Sequence, residues 1–333
     1  MTIKVGINGF GRIGRSVFRI LAERDDIEVV AINDIFPNDV LAYLLKYDTI
    51  MGTFERNVST DDDAMYIDGD RMLMTAEREP ANLRWKELGV NVVLEATGRF
   101  RERADLAKHI AAGADRVLLT VPPKDQVDAM VVMGVNDDVL RPEHAIVSNA
   151  SCTTNCLAPI AKVLDQTFGI EHGLMTTVHA YTNDQRLADV PHKDLRRSRA
   201  AAENIIPTTT GAAKAVGKVL PTLNGKLDGM AARVPVADGS LVDLVVRLSR
   251  STSATSINEA VQQAAESTLQ GIVEYNEASV VSSDVVGNPH SSIFDALLTQ
   301  SSEDGYARVV SWYDNEWGYS NRCVDLIGRL AAL

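Results

Sequence analysis

The chain has 333 residues, enough for two domains of ordinary size. Its formal net charge of −12 gives no global pull toward nucleic acid or an anionic membrane, so neither is expected as a main partner. Hydrophobic residues at 45% and charged residues at 23% exclude wholesale disorder, and three cysteines are too few for a disulfide framework.

No apolar run approaches the roughly 18 residues that a membrane span requires. The N-terminal apolar stretch is broken by Arg12, Arg15 and Arg19, so it does not read as a signal peptide. The expected location is the cytoplasm, where thiols stay reduced.

In chain order, residues 3–8 read as a short buried strand and are followed by a glycine cluster. Ile13, Val17, Ile20 and Leu21 then line one face of a helix, and residues 27–32 form a second strand ending at Asn33-Asp34. This is a βαβ unit and implies parallel pairing. Further buried strands are expected at 92–94, 117–121, 130–135 and 145–147, with a helix at 102–112. Asp68-Gly69 marks a hairpin. The second half changes character. Strands are expected at 173–178, 227–234, 241–248, 271–275 and 307–313, and helices at 152–167, 210–219, 255–269 and 316–331. Residues 181–206 read as a long functional loop. The fold class is therefore α/β: an N-terminal Rossmann dinucleotide-binding domain at 1–150, and an α+β catalytic domain with a largely antiparallel sheet at 151–315. The C-terminal helix, about 316–333, is expected to pack back on the first domain.

Gly9-Phe10-Gly11-Arg12-Ile13-Gly14 fits G-x-G-x-x-G in the context that this motif needs, after a strand and opening a helix. Its glycines permit a tight turn and let pyrophosphate approach the backbone, where the helix N-terminus meets the charge. Asp34, 20 residues after Gly14, can bind a ribose diol and would repel a 2′-phosphate. The bland alternative is a tight turn with an incidental surface Asp.

Ser148-Asn149-Ala150-Ser151-Cys152-Thr153-Thr154-Asn155-Cys156 follows a strand and opens a helical pattern. Cys152 then sits at a helix N-terminus, where the dipole is expected to lower the thiol pKa. Cys156 lies one turn deeper and is expected to be inert. No second Cys/His pair has zinc-finger spacing, so no metal is expected. Among six histidines, His179 ends a strand beside the long loop, where catalytic groups are commonly displayed. On position alone it competes with a packed or solvated histidine.

Together with His179-Ala180-Tyr181-Thr182-Asn183-Asp184-Gln185 and the run 311–320, these motifs resemble phosphorylating glyceraldehyde-3-phosphate dehydrogenases, in the family's order from about residue 3 to residue 330. The resemblance implies oxidation of glyceraldehyde 3-phosphate by NAD, with inorganic phosphate capturing the acyl group as 1,3-bisphosphoglycerate. Cys152 would form a thiohemiacetal and then a thioester, with His179 as base. It further implies cofactor contacts at Gly9, Gly11, Arg12, Ile13, Gly14, Asp34, Arg78, Thr120, Asn315 and Tyr319. Thr182 and Arg233 would hold the substrate's phosphate. Ser151, Thr153, Thr210, Gly211 and one of Arg196 and Arg197, with Arg197 favoured, would hold the attacking phosphate. Ile35 and Val190-Pro191 look like the NAD-using rather than the NADP-using branch. The segment 119–124 departs from the commoner family sequence. A homotetramer is implied, with the loop near 181–206 at an interface.

Three other readings compete. An erythrose-4-phosphate dehydrogenase would tend to carry Glu at Asp34 and lack Pro191-His192-Lys193-Asp194. A thiol hydrolase has no use for the dinucleotide fingerprint. A redox sensor or RNA-binding Rossmann protein does not need His179 and two phosphate sites.

Overall fold

The computed structural model describes residues 2–333. Two compact units divide the described residues: 2–131 with Asp138–Ala150 and Ser320–Leu333, and Val132–Asp137 with Ser151–Tyr319.

The first unit is built on a nine-stranded sheet. In spatial order its strands are Ala129–Met130, Ile146–Ser148, Arg116–Leu119, Val92–Glu95, Ile3–Asn8, Ile27–Asn33, Asp70–Thr75, Ala64–Ile67 and Val58–Thr60. The first seven pair in parallel. Val5, Ile7, Val92, Val93, Leu94, Val117, Leu118 and Leu119 are wholly buried, as strands covered on both faces must be, so they read as continuous apolar runs. The last two strands are antiparallel, joined to the sheet through the hairpin at Asp68-Gly69. Both turn residues have positive φ, 52° and 102°, which suits a tight primed turn. This is the Rossmann-type α/β domain that the βαβ pattern implied.

The second unit carries a seven-stranded sheet in the order Ile206–Thr209, Leu227–Val234, Ile170–Ala180, Ser240–Leu248, Tyr306–Tyr313, Ser292–Ser301, Val273–Asn276. Four of its six pairings are antiparallel. The helices Cys152–Phe168, Ala212–Val219 and Ala254–Ala265 pack on this sheet. Met175, Leu244, Val246 and Val309 are buried in it, while Leu174, Met230, Val245 and Tyr306 are exposed. Register sets Leu174 opposite Val245, which in turn opposes Arg308. The exposed side chains thus share one face, because side chains along a strand alternate.

Several elements differ from the sequence expectation. Residues 130–135 are not a strand: pairing stops at Met130. The chain then turns, and Lys162 Nζ donates to the carbonyls of Gly134 and Val135 at 2.8 and 3.1 Å. An apolar run looks the same whether it is a strand or a buried turn. The ten-residue strand Ser292–Ser301 was not foreseen. Its first five positions are all buried and a register shift interrupts it after Asp295, so it shows no clean alternation. The helix Asn38–Lys46 and the strand Ile206–Thr209 were also unforeseen. Residues 181–205 form a long loop with a single turn of 3₁₀ helix at Arg196–Ser198, one residue shorter than expected because Ile206 opens a strand. The C-terminal helix spans Trp317–Ala331. From Ser320 onward it belongs to the first unit, where Asn149 Nδ2 donates to Cys323 Sγ at 3.3 Å.

Candidate active site

In the first unit, the turn between Ile3–Asn8 and the helix Arg12–Leu21 opens a cleft of about 260 Å³. Asn8, Gly9, Gly11, Asn33, Asp34, Arg78 and Thr97 are among its lining residues. Each fingerprint glycine has a separate reason. Gly9 has φ +95°, and a Cβ there would stand 2.6 Å from the Thr97 backbone nitrogen. A Cβ on Gly14 would meet the Gly9 carbonyl at 2.2 Å, so Gly14 lets the helix start against the turn. Gly11 faces open space, which leaves the backbone bare on the cleft side. The helix has no side-chain cap and no acid in its first turn, so its N-terminal end and dipole suit an anion. Asp34 accepts from Phe10 N at 2.7 Å and Phe36 N at 3.2 Å, which fixes its carboxylate at the cleft. These features fit a dinucleotide.

Of the other expected cofactor residues, Arg12 is held by Asp48 through bonds of 2.9 and 3.1 Å. Burial raises the Asp48 pKa, but Arg12 and the N–H groups of Met51 and Ile50 outweigh it and hold the group at about 2. Ile13 is half-buried on the same helix, and Thr120 is buried with its hydroxyl donating to Glu95 O at 3.0 Å. Asn315 and Tyr319 are buried in the second unit.

Beneath the cleft lies a network that sequence reasoning missed. Glu95 and His109 are fully buried. Trp85 Nε1 donates to His109 Nδ1 at 3.0 Å, which leaves His109 Nε2 to donate to Glu95 at 3.1 Å. Glu95 also accepts from Asn8 at 2.5 Å and from both the backbone N–H and the hydroxyl of Thr97. Asn33 continues the chain to Asn8 at 2.7 Å. Nothing local marks these residues, because the partners lie on separate strands and helices.

In the second unit, Cys152 is the first residue of the helix Cys152–Phe168. The Ser151 hydroxyl caps this helix by accepting from Thr154 N at 3.1 Å. Ala150 just before it has φ +55°, unusual for a residue with a Cβ and a mark of a constrained turn. Cys152 Sγ lies 3.5 Å from His179 Nε2. His179 Nδ1 is 2.7 Å from Ala180 O and 2.8 Å from Arg233 Nη1. Arg233 Nη1 also donates to Ala180 O at 3.0 Å. In the tautomer with the proton on Nδ1, that N–H donates to the carbonyl and Nε2 presents its lone pair to sulfur. Tyr313, another residue the sequence reading missed, sets its ring edge against His179 and bonds Thr153 and Thr177 at 2.9 Å each.

The expected depression of the Cys152 pKa is reversed. Burial pushes the thiol up, against the charge of Arg233 and the hydrogen bonds of Thr153. Burial and the charge of Arg233 push His179 down to about 3. Packing around the pair outweighs the helix end, and both groups rest neutral. Cys156 is fully buried, its sulfur lies near the Ser292 hydroxyl and the carbonyls of Ser311 and Trp312, and burial pushes its pKa well up.

Arg233 pairs in register with His179 on the neighbouring strand, and Thr182 follows three residues later. Arg197 Nε donates to Thr208 Oγ1 at 3.0 Å, its Nη1 meets Asp184, and its charge contributes to the lowering of the His179 pKa. Arg196 is exposed. Thr210 and Gly211 lie at the start of the helix Ala212–Val219, where Thr210 Oγ1 accepts from Ala212 N at 3.2 Å.

Residues 3–103 match the family model "Glyceraldehyde 3-phosphate dehydrogenase, NAD binding domain", and residues 151–315 match its C-terminal domain. The chain is 58% identical to glyceraldehyde-3-phosphate dehydrogenase of Streptomyces coelicolor, over 98% of both chains. It is 55% identical to that of Geobacillus stearothermophilus, over 100% of this chain and 99% of the relative. The chain belongs to the glyceraldehyde-3-phosphate dehydrogenase family. Membership makes it an oxidoreductase of glycolysis that acts on glyceraldehyde 3-phosphate with NAD as cofactor. Among the described residues no helix is long and apolar enough to cross a membrane, and no group of three or more His, Cys, Asp or Glu could hold a metal ion.

Proposed function

We propose that the enzyme is of the phosphorylating class and passes the acyl group from Cys152 to inorganic phosphate. The observation that carries this reading is the 3.5 Å approach of Cys152 Sγ to Nε2 of His179, beside two arginines on separate segments. His179 Nε2 takes the thiol proton as sulfur bonds to the aldehyde carbon, and returns it to the new oxygen to give a thiohemiacetal. Neutral again, Nε2 then takes the hydroxyl proton as the carbon is oxidised to the thioester. NAD, when bound, accepts the two electrons and the hydrogen that this carbon gives up. A phosphate oxygen attacks the thioester, the C–S bond breaks, and the Cys152 thiolate recovers a proton from His179.

Gly9, Gly11, Gly14, Asp34 and Arg78 would hold the dinucleotide, with Arg12, Ile13, Thr120, Asn315 and Tyr319 completing its contacts. Arg233 and Thr182 would hold the substrate's own phosphate. Ser151, Thr153, Arg197, Thr210 and Gly211 would hold the attacking one, and the partial burial of Arg197 favours it over Arg196. On this reading, residues 1–150 and the C-terminal helix serve the cofactor, while 151–315 serve catalysis and assembly. The exposed face of Leu174, Met230, Val245 and Tyr306 supports a homotetramer. Three free cysteines, one of them needed as a thiol, suit the cytoplasm.

The test is NADH formation from glyceraldehyde 3-phosphate with and without inorganic phosphate. Multiple turnovers that require phosphate and give an acyl phosphate are expected. Equal turnover without phosphate would reject the phosphorylating class.

A further inference from the structure

One acidic group in the second unit has no part in the chemistry above. Asp238 is 3% exposed. Its Oδ1 accepts from Gly239 N at 2.8 Å, but its Oδ2 meets no donor and faces the carboxyl group of Asp314. Asp314 is also buried, and its oxygens accept three backbone N–H groups: Gly287 at 2.7 Å, Glu316 at 2.8 Å and Trp317 at 2.6 Å. Two acidic groups in contact share a proton, and it sits on Asp238, which has one backbone donor where Asp314 has three; Asp238 becomes the donor.

The approach of Asp238 to Asp314 joins the two segments that present Asn315, whose strands run side by side with Ser240 opposite Tyr313. Asp238 lies two residues before Ser240, and Asp314 immediately precedes Asn315. Ser240 Oγ donates to Asn315 Oδ1 at 2.6 Å and accepts from Ala180 N at 3.0 Å, one residue past His179. Because the Asn315 oxygen is thereby occupied, its amide group is free to turn outward as a donor. Gly239 locks the first segment in place: it has φ +83°, and a Cβ there would lie 2.1 Å from Ser282 O.

We propose that Asp238 is a positioning residue whose protonated carboxyl bridges to Asp314, holds Asn315 in its binding orientation, and makes NAD binding fall away in alkali. The proposal rests on Asn315 being a cofactor contact. The groups facing Asp238 are Asp314 and Glu316 from the 314–317 turn and the Cys152 thiol, none of them cationic. Burial, then the charge and hydrogen bond of Asp314 and the charge of Glu316, push its pKa up to about 9. Ionising Asp238 replaces a bridge by repulsion and also places a negative charge near Cys152.

The experiment measures the NAD dissociation constant and the melting temperature of the NAD-free protein from pH 6.5 to pH 10. Wild type, Asp238→Asn, Asp238→Ala and Asn315→Ala are compared. The wild-type constant is expected to rise by ~10-fold or more across this range, as linkage to one ionising group predicts. Asp238→Asn, whose amide donates at every pH, should remove that rise, whereas Asp238→Ala should bind more weakly throughout. The wild-type melting temperature should fall as pH rises toward 9. The native pKa is raised, so the stability that the proton confers is complete below the unfolded value and lost upward. Asp238→Asn should remove this slope too. An alkaline rise that persists in Asp238→Asn, or is missing from wild type, overturns the proposal. Asn315→Ala with wild-type NAD affinity at pH 7.5 refutes the Asn315 assignment itself. If Asp238→Asn does not fold, infrared spectra of aspartate-labelled wild type decide: a protonated carboxyl band at pH 7.5 that vanishes by pH 10 is expected, and its absence at pH 7.5 overturns the proposal.

Discussion

The two cysteines one helical turn apart differ in what surrounds them. Cys152 is partly accessible and faces a base, whereas Cys156 is sealed among Ser292 and backbone carbonyls. Cys152→Ser should abolish oxidation while leaving NAD binding intact, because serine is the weaker nucleophile. Cys156→Ser should keep most activity. Mass spectrometry after brief iodoacetamide treatment should show one label, on Cys152; a label on Cys156 instead would invert the assignment. His179→Asn should slow acylation by roughly 10²–10⁴-fold, the scale for a lost general base. The same residue affects stability. Its native pKa of about 3 lies below the unfolded value, so wild type loses stability as pH falls from 6.5 toward 3. His179→Asn should lack that contribution, visible as a smaller drop in melting temperature over this range. Arg233→Ala should cost about 2–4 kcal/mol in kcat/KM for glyceraldehyde 3-phosphate, the scale of a broken charge-assisted pair. The loss should be small for unphosphorylated glyceraldehyde. Equal losses on the two aldehydes would make Arg233 structural.

At the scale of elements, the strand–turn–helix at 3–21 depends on glycines that have no substitute. Gly9→Ala places a Cβ 2.6 Å from the Thr97 nitrogen at a φ of +95°. It should destabilise the first unit by about 1–3 kcal/mol and weaken NAD binding more than tenfold. Calorimetry of the variant checks the first figure and equilibrium titration the second. Asp34 ends the next strand, with its carboxylate fixed by Phe10 N and Phe36 N. Asp34→Ala should raise the kcat/KM for NADP relative to NAD, because the charge that repels a 2′-phosphate is gone. An unchanged cofactor ratio would remove that role.

At the scale of the whole molecule, the sheet of the second unit leaves a face that its helices do not cover, on which Leu174 and Val245 stand beside the Arg308–Asp243 ion pair. Leu174 is 66% exposed, and Val245 opposes it in register. If this face joins copies of the chain, Leu174→Asp with Val245→Asp should shift the mass measured by light scattering from tetramer toward smaller species. The His179–Cys152 geometry lies within one unit and should survive in them as iodoacetamide reactivity. An unchanged mass would place the assembly surface elsewhere.

The sequence by itself determined what short-range patterns encode. Three glycines at fixed spacing, an Asp at the next strand end and a cysteine opening a helix are local requirements of backbone conformation and of a helix terminus. The alternation of 241–248 and the parallel βαβ opening were legible for the same reason. What escaped was non-local. The strand Ser292–Ser301 has no periodicity because its first half is buried on both faces. Tyr313 and the Glu95–His109 pair gain their roles only from partners brought in by folding. So does the charge state of the site. A helix N-terminus read alone lowers a thiol pKa, but the tertiary structure half-buries Cys152 beside His179 and Arg233, and desolvation of the sulfur prevails. Asp238 shows the same division: its identity is in the sequence, but only the fold sets it against Asp314, because contacts across 76 residues leave no trace in local spacing.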